Sequence, residues 1–543
     1  MNTSRQQSGK TTSGLTGQAG ASHTPRMRDA SGEKYHEALL YQDHLLLSNV
    51  LHDGFAIKLS RKLHGESRMS HRSSHRRLIA GCFLACCWNL APSASAAEPF
   101  VDVTERVGLK GLSGGVAAWG DFDNDGWPDL YVGGQLWRNN QGQGFQAIEG
   151  TSLSGSGIWG DYDNDGYLDL FCWSSGKLFR NQAGKEFVAL SDKIPQLPTT
   201  VSLGASWGDW NGDRFLDLYV GGYEVWPAKE YPDVILLNQK GQHFVEHWRQ
   251  TPVRRARGIT AADFDEDGDL DIFVSNYRLQ PNLLLQNDGK GKFQDVAAAF
   301  GAAGDGGLGA WGHTIGSSWG DFDNDGYLDL FVGNFSHPPA YQDRPQFLRN
   351  QGPDGKFHFE DKTPAAGLHW QESYASPALA DFDNDGKLDL FFTTVYAGDT
   401  SVLYRNAGAW KFQNVSGPSQ VGLPTTYQGA WADFDGDGYL DLVTGGKLLK
   451  NPGGQHHWLR VRLVGGQQFN ATAIGSRVKI QLGEETLVRQ VEGATGQGNQ
   501  NDMALHFGLG SHADAVTVQV HWPDGKQQTL ETAVDRSITI SRD

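Results

Sequence analysis

From residue 97 to about residue 455 the hydrophobic pattern consists of short apolar runs broken by polar, glycine-rich turns. A run such as Leu-Asp-Leu-Phe-Val-Gly (328–333) follows an acidic turn. A second run ending in Asn follows each of these: LWRN to Asn139, LFRN to Asn181, ILLN to Asn238, LLLQN to Asn287, FLRN to Asn350, LYRN to Asn406 and LLKN to Asn451. A turn, usually with Gly, and then Phe145, Phe187, Phe244, Phe293, Phe357 or Phe412 come next; the last unit lacks the Phe. Short runs bounded by turn residues read as strands. Each unit therefore predicts strand, acidic loop, strand, connector, strand, Asn-Gly turn, strand.

The acidic loops begin at Asp121, Asp161, Asp209, Asp263, Asp321, Asp381 and Asp433, spaced 40, 48, 54, 58, 60 and 52 residues apart. Such a period belongs to architectures that stack one supersecondary unit per repeat. Phe100-Val-Asp-Val-Thr with Gly108-Leu109 matches Phe293-Gln-Asp-Val and Phe412-Gln-Asn-Val, so the start of this region is predicted to supply the strand missing from the last unit. The expected fold is all-β: a seven-bladed β-propeller over 97–455, closed as a ring so that only short edges remain. Acidic loops and Asn-Gly turns then share one face, and the variable connectors share the other. From His456 the repeats stop. Trp458–Val464, Ile474–Ile480, Ala504–Gly510 and Val516–Trp522 alternate apolar and polar residues, and Pro523-Asp-Gly525 marks a hairpin. Residues 456–543 therefore predict a small β-sandwich, docked on or tethered to the propeller.

The acidic loops share the pattern D-x-[DN]-x-D-G-x-x-D, which the third copy follows only in part. A hard cation such as Ca²⁺ takes about six to eight oxygens, which a tight loop can supply from side chains at positions 1, 3, 5 and 9 and a carbonyl at 7, with Gly turning at 6. The candidate metal ligands are Asp121, Asp123, Asp125 and Asp129; Asp161, Asp163, Asp165 and Asp169; Asp209, Asn211, Asp213 and Asp217; Asp263, Asp265, Asp267 and Asp271; Asp321, Asp323, Asp325 and Asp329; Asp381, Asp383, Asp385 and Asp389; and Asp433, Asp435, Asp437 and Asp441. Backbone carbonyls would come from Trp127, Tyr167, Asp269, Tyr327, Lys387 and Tyr439. Four converging carboxylates repel one another without a cation. A turn that satisfies only its own backbone is the alternative; the sevenfold register argues for metal, up to seven Ca²⁺. Asn211 and Arg214 replace Asp and Gly in the third copy, which is expected to be weak or empty.

These loops, with the Trp-Gly lead-ins at Trp119, Trp159, Trp207 and Trp319, resemble the calcium-binding loops of FG-GAP/VCBS repeats, as in the propeller head of integrin alpha chains. The resemblance spans about residues 100–455 and implies strand-loop-strand calcium sites. The stretch HHWLRVRL…IGSRVKI…HFGLG…VHWPDGK resembles the ASPIC/UnbV domain, which commonly follows FG-GAP repeats in secreted proteins and whose activity is poorly defined.

Composition adds three things. Gly is 70 of 543 residues, as a turn-rich β protein requires. Residues 97–543 hold 34 Lys+Arg against 57 Asp+Glu, a balance of −23, which argues against a nucleic-acid partner. Residues 1–68 are polar with one weakly helical stretch (33–63) and read as an extension ahead of the true start at Met69. Residues 69–96 have the basic start, apolar run (Leu78–Ala91) and small-residue end of a signal peptide, cleaved after Ala96. Cys82, Cys86 and Cys87 fall inside it, leaving only Cys172 and no intramolecular disulfide. The expected location is therefore the periplasm, the cell surface or the medium, without a membrane span after cleavage.

No H-E-x-x-H or phosphate loop occurs, and the Asp pairs recur too often to be one glycosidase site, so no catalytic residue is assigned. The expected function is non-enzymatic binding or adhesion to an extracellular protein or glycan, through the connectors Tyr223–Pro232, Arg254–Arg257, Ala303–Gly316 and Phe335–Arg344. The alternative is an extracellular polysaccharide lyase or glycosidase, whose mark would be a cluster of His, Tyr, Arg and carboxylate at the central opening.

Overall fold

The computed structural model describes residues 98–304, 311–335, 344–369, 374–466 and 469–542. The expectations for residues 1–97, and for parts of the connectors at 305–310 and 336–343, lie outside these. In the first unit Ala117–Gly120, Asp129–Val132, Gln135–Asn139 and Phe145–Ala147 form an antiparallel meander. Its register sets Gly120 opposite Asp129, Val132 opposite Gln135 and Asn139 opposite Phe145. Acidic loop and Asn-Gly turn thus lie at one end of the sheet and the connector at the other. Seven such four-stranded sheets, blades 1 to 7 in chain order, occur among the described residues. Blade 7 is completed by Val101–Asp102, which pairs with Lys450 and Leu449, so the two ends of the repeat region share one sheet of the β-propeller.

The Trp-Gly lead-in has a packing reason. Trp119, Trp159 and Trp207 are fully buried, and Trp159 and Trp207 reach across to the preceding blade, donating Nε1–H to Ala118 and Ile158 carbonyls at 3.3 Å. The preceding blade's Gly makes room: a Cβ on Gly120 would lie 2.7 Å from Trp159, and one on Gly160 2.8 Å from Trp207. In blade 5 the outer strand is Phe359–Asp361, with Phe359 rather than the expected Phe357 opposite Asn350. The turn there is three residues longer than those after Asn139, Asn181, Asn238 and Asn406, and Phe357 instead meets Tyr327 at its rim.

The C-terminal residues form two sheets, as the alternation predicts. His457–Val464 lies between Leu505–Gly510 and Arg536–Ser541; Arg477–Leu482 and Val516–His521 are flanked by Glu485–Gln490 and Gln527–Thr532. Val461, Ile480, Phe507 and Val518 fill the shared core. The strand expected from Ile474 begins at Arg477, because Asn470–Ser476 is a turn held by bonds such as Ala473 N–H to Asn470 O.

This domain docks on the acidic-loop side and sends residues 493–502 into the centre of the ring. Each innermost strand is a sheet edge with unpaired backbone groups, and the segment satisfies many of them. Gln500 exchanges backbone bonds with Ala117 and Trp119, and its side chain bonds both backbone groups of Trp159. Gly496 N–H reaches Ser317 O, Gln497 N–H reaches Ser376 Oγ, and Asn501 Oδ1 accepts Trp431 N–H. A Cβ on Gly493 would lie 2.1 Å from Trp207 O, and one on Gly258 2.4 Å from Gly496 O. The segment therefore contacts all seven inner strands.

Candidate metal centres and their surroundings

Each acidic loop is wound by its own carboxylates. In the fifth, Asp321 accepts the N–H groups of Asp325 and Gly326 at 3.1 and 2.9 Å, and Asp325 accepts Tyr327 N–H at 3.1 Å. Asp329 accepts Phe322 N–H at 2.9 Å and Asn350 N–H at 2.8 Å. The same bonds recur at Asp121, Asp161, Asp381 and Asp433, with their position-5 and position-9 partners. They fold the chain so that one oxygen each of Asp121, Asp123 and Asp129 lies within 4.8 Å of the others. Oxygens of Asp161, Asp163 and Asp169; of Asp263, Asp265 and Asp271; of Asp321, Asp323 and Asp325; and of Asp381, Asp383 and Asp385 converge equally closely.

These residues fit a divalent cation. In all six loops with Asp at position 3, one oxygen of that residue is buried without a hydrogen-bond partner: Oδ1 of Asp123, Asp163, Asp265, Asp323, Asp383 and Asp435. A buried acceptor left unpaired is costly, and its recurrence at one position marks where a cation would sit. Burial, reinforced by the neighbouring carboxylates, pushes Asp129 up to about 9, Asp161 to about 7 and Asp381 to about 8, and holds Asp169, Asp217, Asp271, Asp329, Asp389 and Asp441 well above the usual carboxylate range. A metal ion would reverse that preference.

The third loop keeps the winding, with Asp213 N–H on Asp209 at 3.1 Å and Trp210 N–H on Asp217 at 3.0 Å. Its Asn211 oxygen, however, accepts Asp213 N–H at 3.0 Å, and Arg214 holds φ +80° where the other loops have Gly. The fourth loop has a carboxylate that was expected to offer only its carbonyl. Asp269 Oδ1 is buried without a partner, and burial plus its acidic neighbours push the residue up to about 7.

Two further residue sets belong to the site. The residue before each unit's Asn faces the outer oxygens of positions 3 and 5: Arg138 with Asp123, Arg180 with Asp163 and Asp165, Arg349 with Asp323 and Asp325, Arg405 with Asp383 and Asp385, and Lys450 with Asp435 and Asp437. Gln286 does this by hydrogen bond in the fourth loop, while the third has Leu237. The Asn itself is an inter-blade latch. Asn350 Nδ2 donates to Leu328 O within its own loop and to Phe264 O of the preceding one, at 3.2 and 2.7 Å. Asn139 reaches Phe434 O at 2.8 Å, which carries the chain of latches across the ring closure.

The C-terminal domain adds cations from above. Arg462 pairs with Asp121, and Arg477 meets Asp263 at 2.9 Å and Glu266 at 3.2 Å. At the opposite end of the ring, Arg257 lies over the rings of Tyr277 and Tyr223 at 4.4 and 5.4 Å, and Tyr277 meets His313 at 4.8 Å. Nearby the hairpin Glu224–Val225 / Lys229–Glu230 projects from blade 3. Buried Glu224 receives Arg255 at 2.6 Å and Arg278 at 2.5 Å, and the Arg278 guanidinium stacks 4.5 Å from the ring of Trp226, which is 44% exposed.

The FG-GAP-like repeat family model matches residues 121–172, 161–220, 263–332, 321–392 and 381–444, and the ASPIC and UnbV model matches 466–543. Cartilage acidic protein 1 of Xenopus tropicalis is 31% identical over 294 residues, 51% of this chain and 43% of that protein; its Homo sapiens counterpart is 29% identical over 295 residues, 51% and 42%. The chain thus spans less than half the length of these relatives. Among solved structures, the BBS1 N-terminal region in complex with ARL6 has a TM-score of 0.37 at 11% identity, covering 66% of this chain and 98% of that one. An Agrocybe aegerita lectin that recognises non-reducing terminal N-acetylglucosamine has 0.32 at 16%, covering 55% and 79%. At these scores neither structure bears on what the chain binds. The recurring loops, the four-stranded repeats and the matches to both family models converge: this chain belongs to the FG-GAP-like repeat family and carries an ASPIC and UnbV domain at its C-terminus.

Proposed function

We propose that the protein is an exported, calcium-stapled propeller that acts as a non-enzymatic binding or adhesion module for an extracellular protein or glycan, through its connector face. The observation that carries this reading is the docked C-terminal domain, which covers acidic loops and fills the ring centre from that side, leaving the connectors as the open functional surface. On that surface Val225, Trp226 and Leu279 are exposed together, held by the Glu224–Arg255–Arg278 network. Rigid exposed aromatic anchors of this kind dominate binding energy where they occur. Calcium would be held by the loop carboxylates and would make each blade rigid where it meets the next. No helix among the described residues is long and apolar enough to cross a membrane.

The grouping of Arg257, Tyr223, Tyr277 and His313 supplies the Arg, Tyr and His, though not the carboxylate, of the mark expected of the polysaccharide-acting alternative. Arg257 and both tyrosines are buried, however, and the tyrosines pack with Ile315, Ala375 and Val395, so the grouping supports packing of the channel mouth over a substrate cleft. The test is binding of the calcium-loaded protein to arrays of glycans and extracellular protein domains. Trp226→Ala should weaken the strongest interaction about tenfold or more, as loss of a hot-spot side chain does, with melting temperature and metal content unchanged. Unchanged binding would remove the connector face from the reading. Release of reducing ends or unsaturated sugars from a polysaccharide would replace it with the enzymatic alternative.

A further inference from the structure

Loops 1, 2, 3, 4 and 7 each expose at least one residue to solvent, among them Asn124, Asp165, Arg214, Asp267 and Asp437. In loops 5 and 6 no whole residue is exposed, and what stays open is an outer edge of the Asp325 and Asp383 carboxylates, which Arg349 and Arg405 cover in part. The closure of both loops comes from the C-terminal domain. Over loop 5, Thr486 N–H donates to Asn324 O at 3.0 Å, Asn324 Nδ2 reaches Glu485 at 3.4 Å, and Lys479 Nζ donates to Gly326 O at 3.2 Å. Over loop 6, Gly510 N–H donates to Asn384 O at 2.8 Å and His506 Nε2 to Asn384 Oδ1 at 2.7 Å. The approach at loop 6 is so close that a Cβ on Gly508 would lie 2.2 Å from Asp381 Oδ2.

Charge follows the same geometry. Loops 5 and 6 hold eight aspartates (−8), Arg349 and Arg405 (+2), and Lys387, 3.7 Å from Asp385 (+1). Two calcium ions (+4) would leave −1. Arg489 of the C-terminal domain is buried beside this pair and feels both Asp321 and Asp381, while its Nη2 has no hydrogen-bond partner. It supplies the remaining positive charge, which a buried arrangement needs in order to balance.

We infer that the C-terminal domain is a lock on two of the calcium sites, so that the ions of loops 5 and 6 exchange slowly beneath it while those of the other loops exchange freely. This rests on the calcium reading above. An ion can leave only when the covering contacts open, and local opening of packed, hydrogen-bonded contacts is rarer than fluctuation of an exposed turn. The test loads the purified protein with radioactive calcium and then dilutes it into unlabelled calcium. Two ions per chain should leave about tenfold or more slowly than the rest. Lys479→Ala should move the loop 5 ion, and His506→Ala the loop 6 ion, from the slow class to the fast class; neither residue is a candidate ligand, and melting in calcium reports that each variant is folded. A single release phase, or a slow phase untouched by both variants, overturns the lock while leaving calcium binding intact. Absence of bound calcium overturns both.

Discussion

At Asn350 one side chain holds three backbone groups: Phe264 O and Leu328 O through Nδ2, and Gly352 N–H through Oδ1 at 3.0 Å. Asn350→Ala leaves these buried groups without partners and should cost about 3 kcal/mol or more, at 1–3 kcal/mol for each of the three unsatisfied groups. Urea denaturation in excess calcium measures it, and a loss under 1 kcal/mol would show that the latch is not needed. The candidate ligand carboxylates were legible because their geometry is local: nine consecutive residues wind one loop. The latch was visible only as a recurring Asn, since Phe264 is 86 residues from Asn350 and nothing in the local pattern points to it. The basic residue before the Asn was equally legible as a letter, at Arg138, Arg180, Arg349, Arg405 and Lys450. Its function was not, because the strand register decides which loop it faces.

At the scale of the element, the third loop shows what the pattern tolerates. Its hydrogen-bonded winding survives Asn211 and Arg214, so the turn is a property of Asp209 and Asp217 bonding the backbone rather than of a metal. Metal binding would need more: a free carboxylate oxygen at position 3, where Asn211 Oδ1 instead accepts Asp213 N–H, and no cationic side chain at position 6. The wild-type protein should therefore bind six calcium ions, and Asn211→Asp with Arg214→Gly should raise this to seven. The second substitution also relieves a positive φ that costs roughly 1–3 kcal/mol in a non-glycine residue. Equilibrium dialysis gives the count; an unchanged stoichiometry would mean that Leu237, in place of the usual Arg, is what disables the site. The outer strand of blade 5 shows a limit at this scale. Two Phe residues two apart, Phe357 and Phe359, are equivalent in periodicity, and only the length of the preceding turn selected Phe359.

At the scale of the molecule, the ring is held by two closures. Val101–Asp102 completes blade 7 from the far end of the repeats, and residues 493–502 tie the seven inner strands to one another through the centre. Gly496 sits at φ +59°, where a Cβ would lie 2.3 Å from Ser376 Oγ and 2.6 Å from Pro377 O. Gly496→Val should expel the segment from the ring centre and lower the melting temperature, and should split a single calorimetric transition into one for the C-terminal domain and one for the propeller. Persistence of one transition at the wild-type temperature would show that the plug does not couple the two.

The amino-acid sequence by itself determined the repeat, the strand order within a blade, the strand lent from the start of the region, the candidate ligands, the departure of the third loop from the pattern and the β character of the C-terminal domain. All of these are written in local spacing, because turn chemistry and strand alternation act over a few residues. Only the tertiary structure decided where that domain sits, that a run of small and amide residues, Gly493 to Asn501, fills the ring, and that Arg462, Arg477 and Arg489 stand over loops far from them in sequence. Those contacts join surfaces built by separate parts of the chain. Their partners are fixed by the shape of the closed ring, which exists only once every blade has packed against the next.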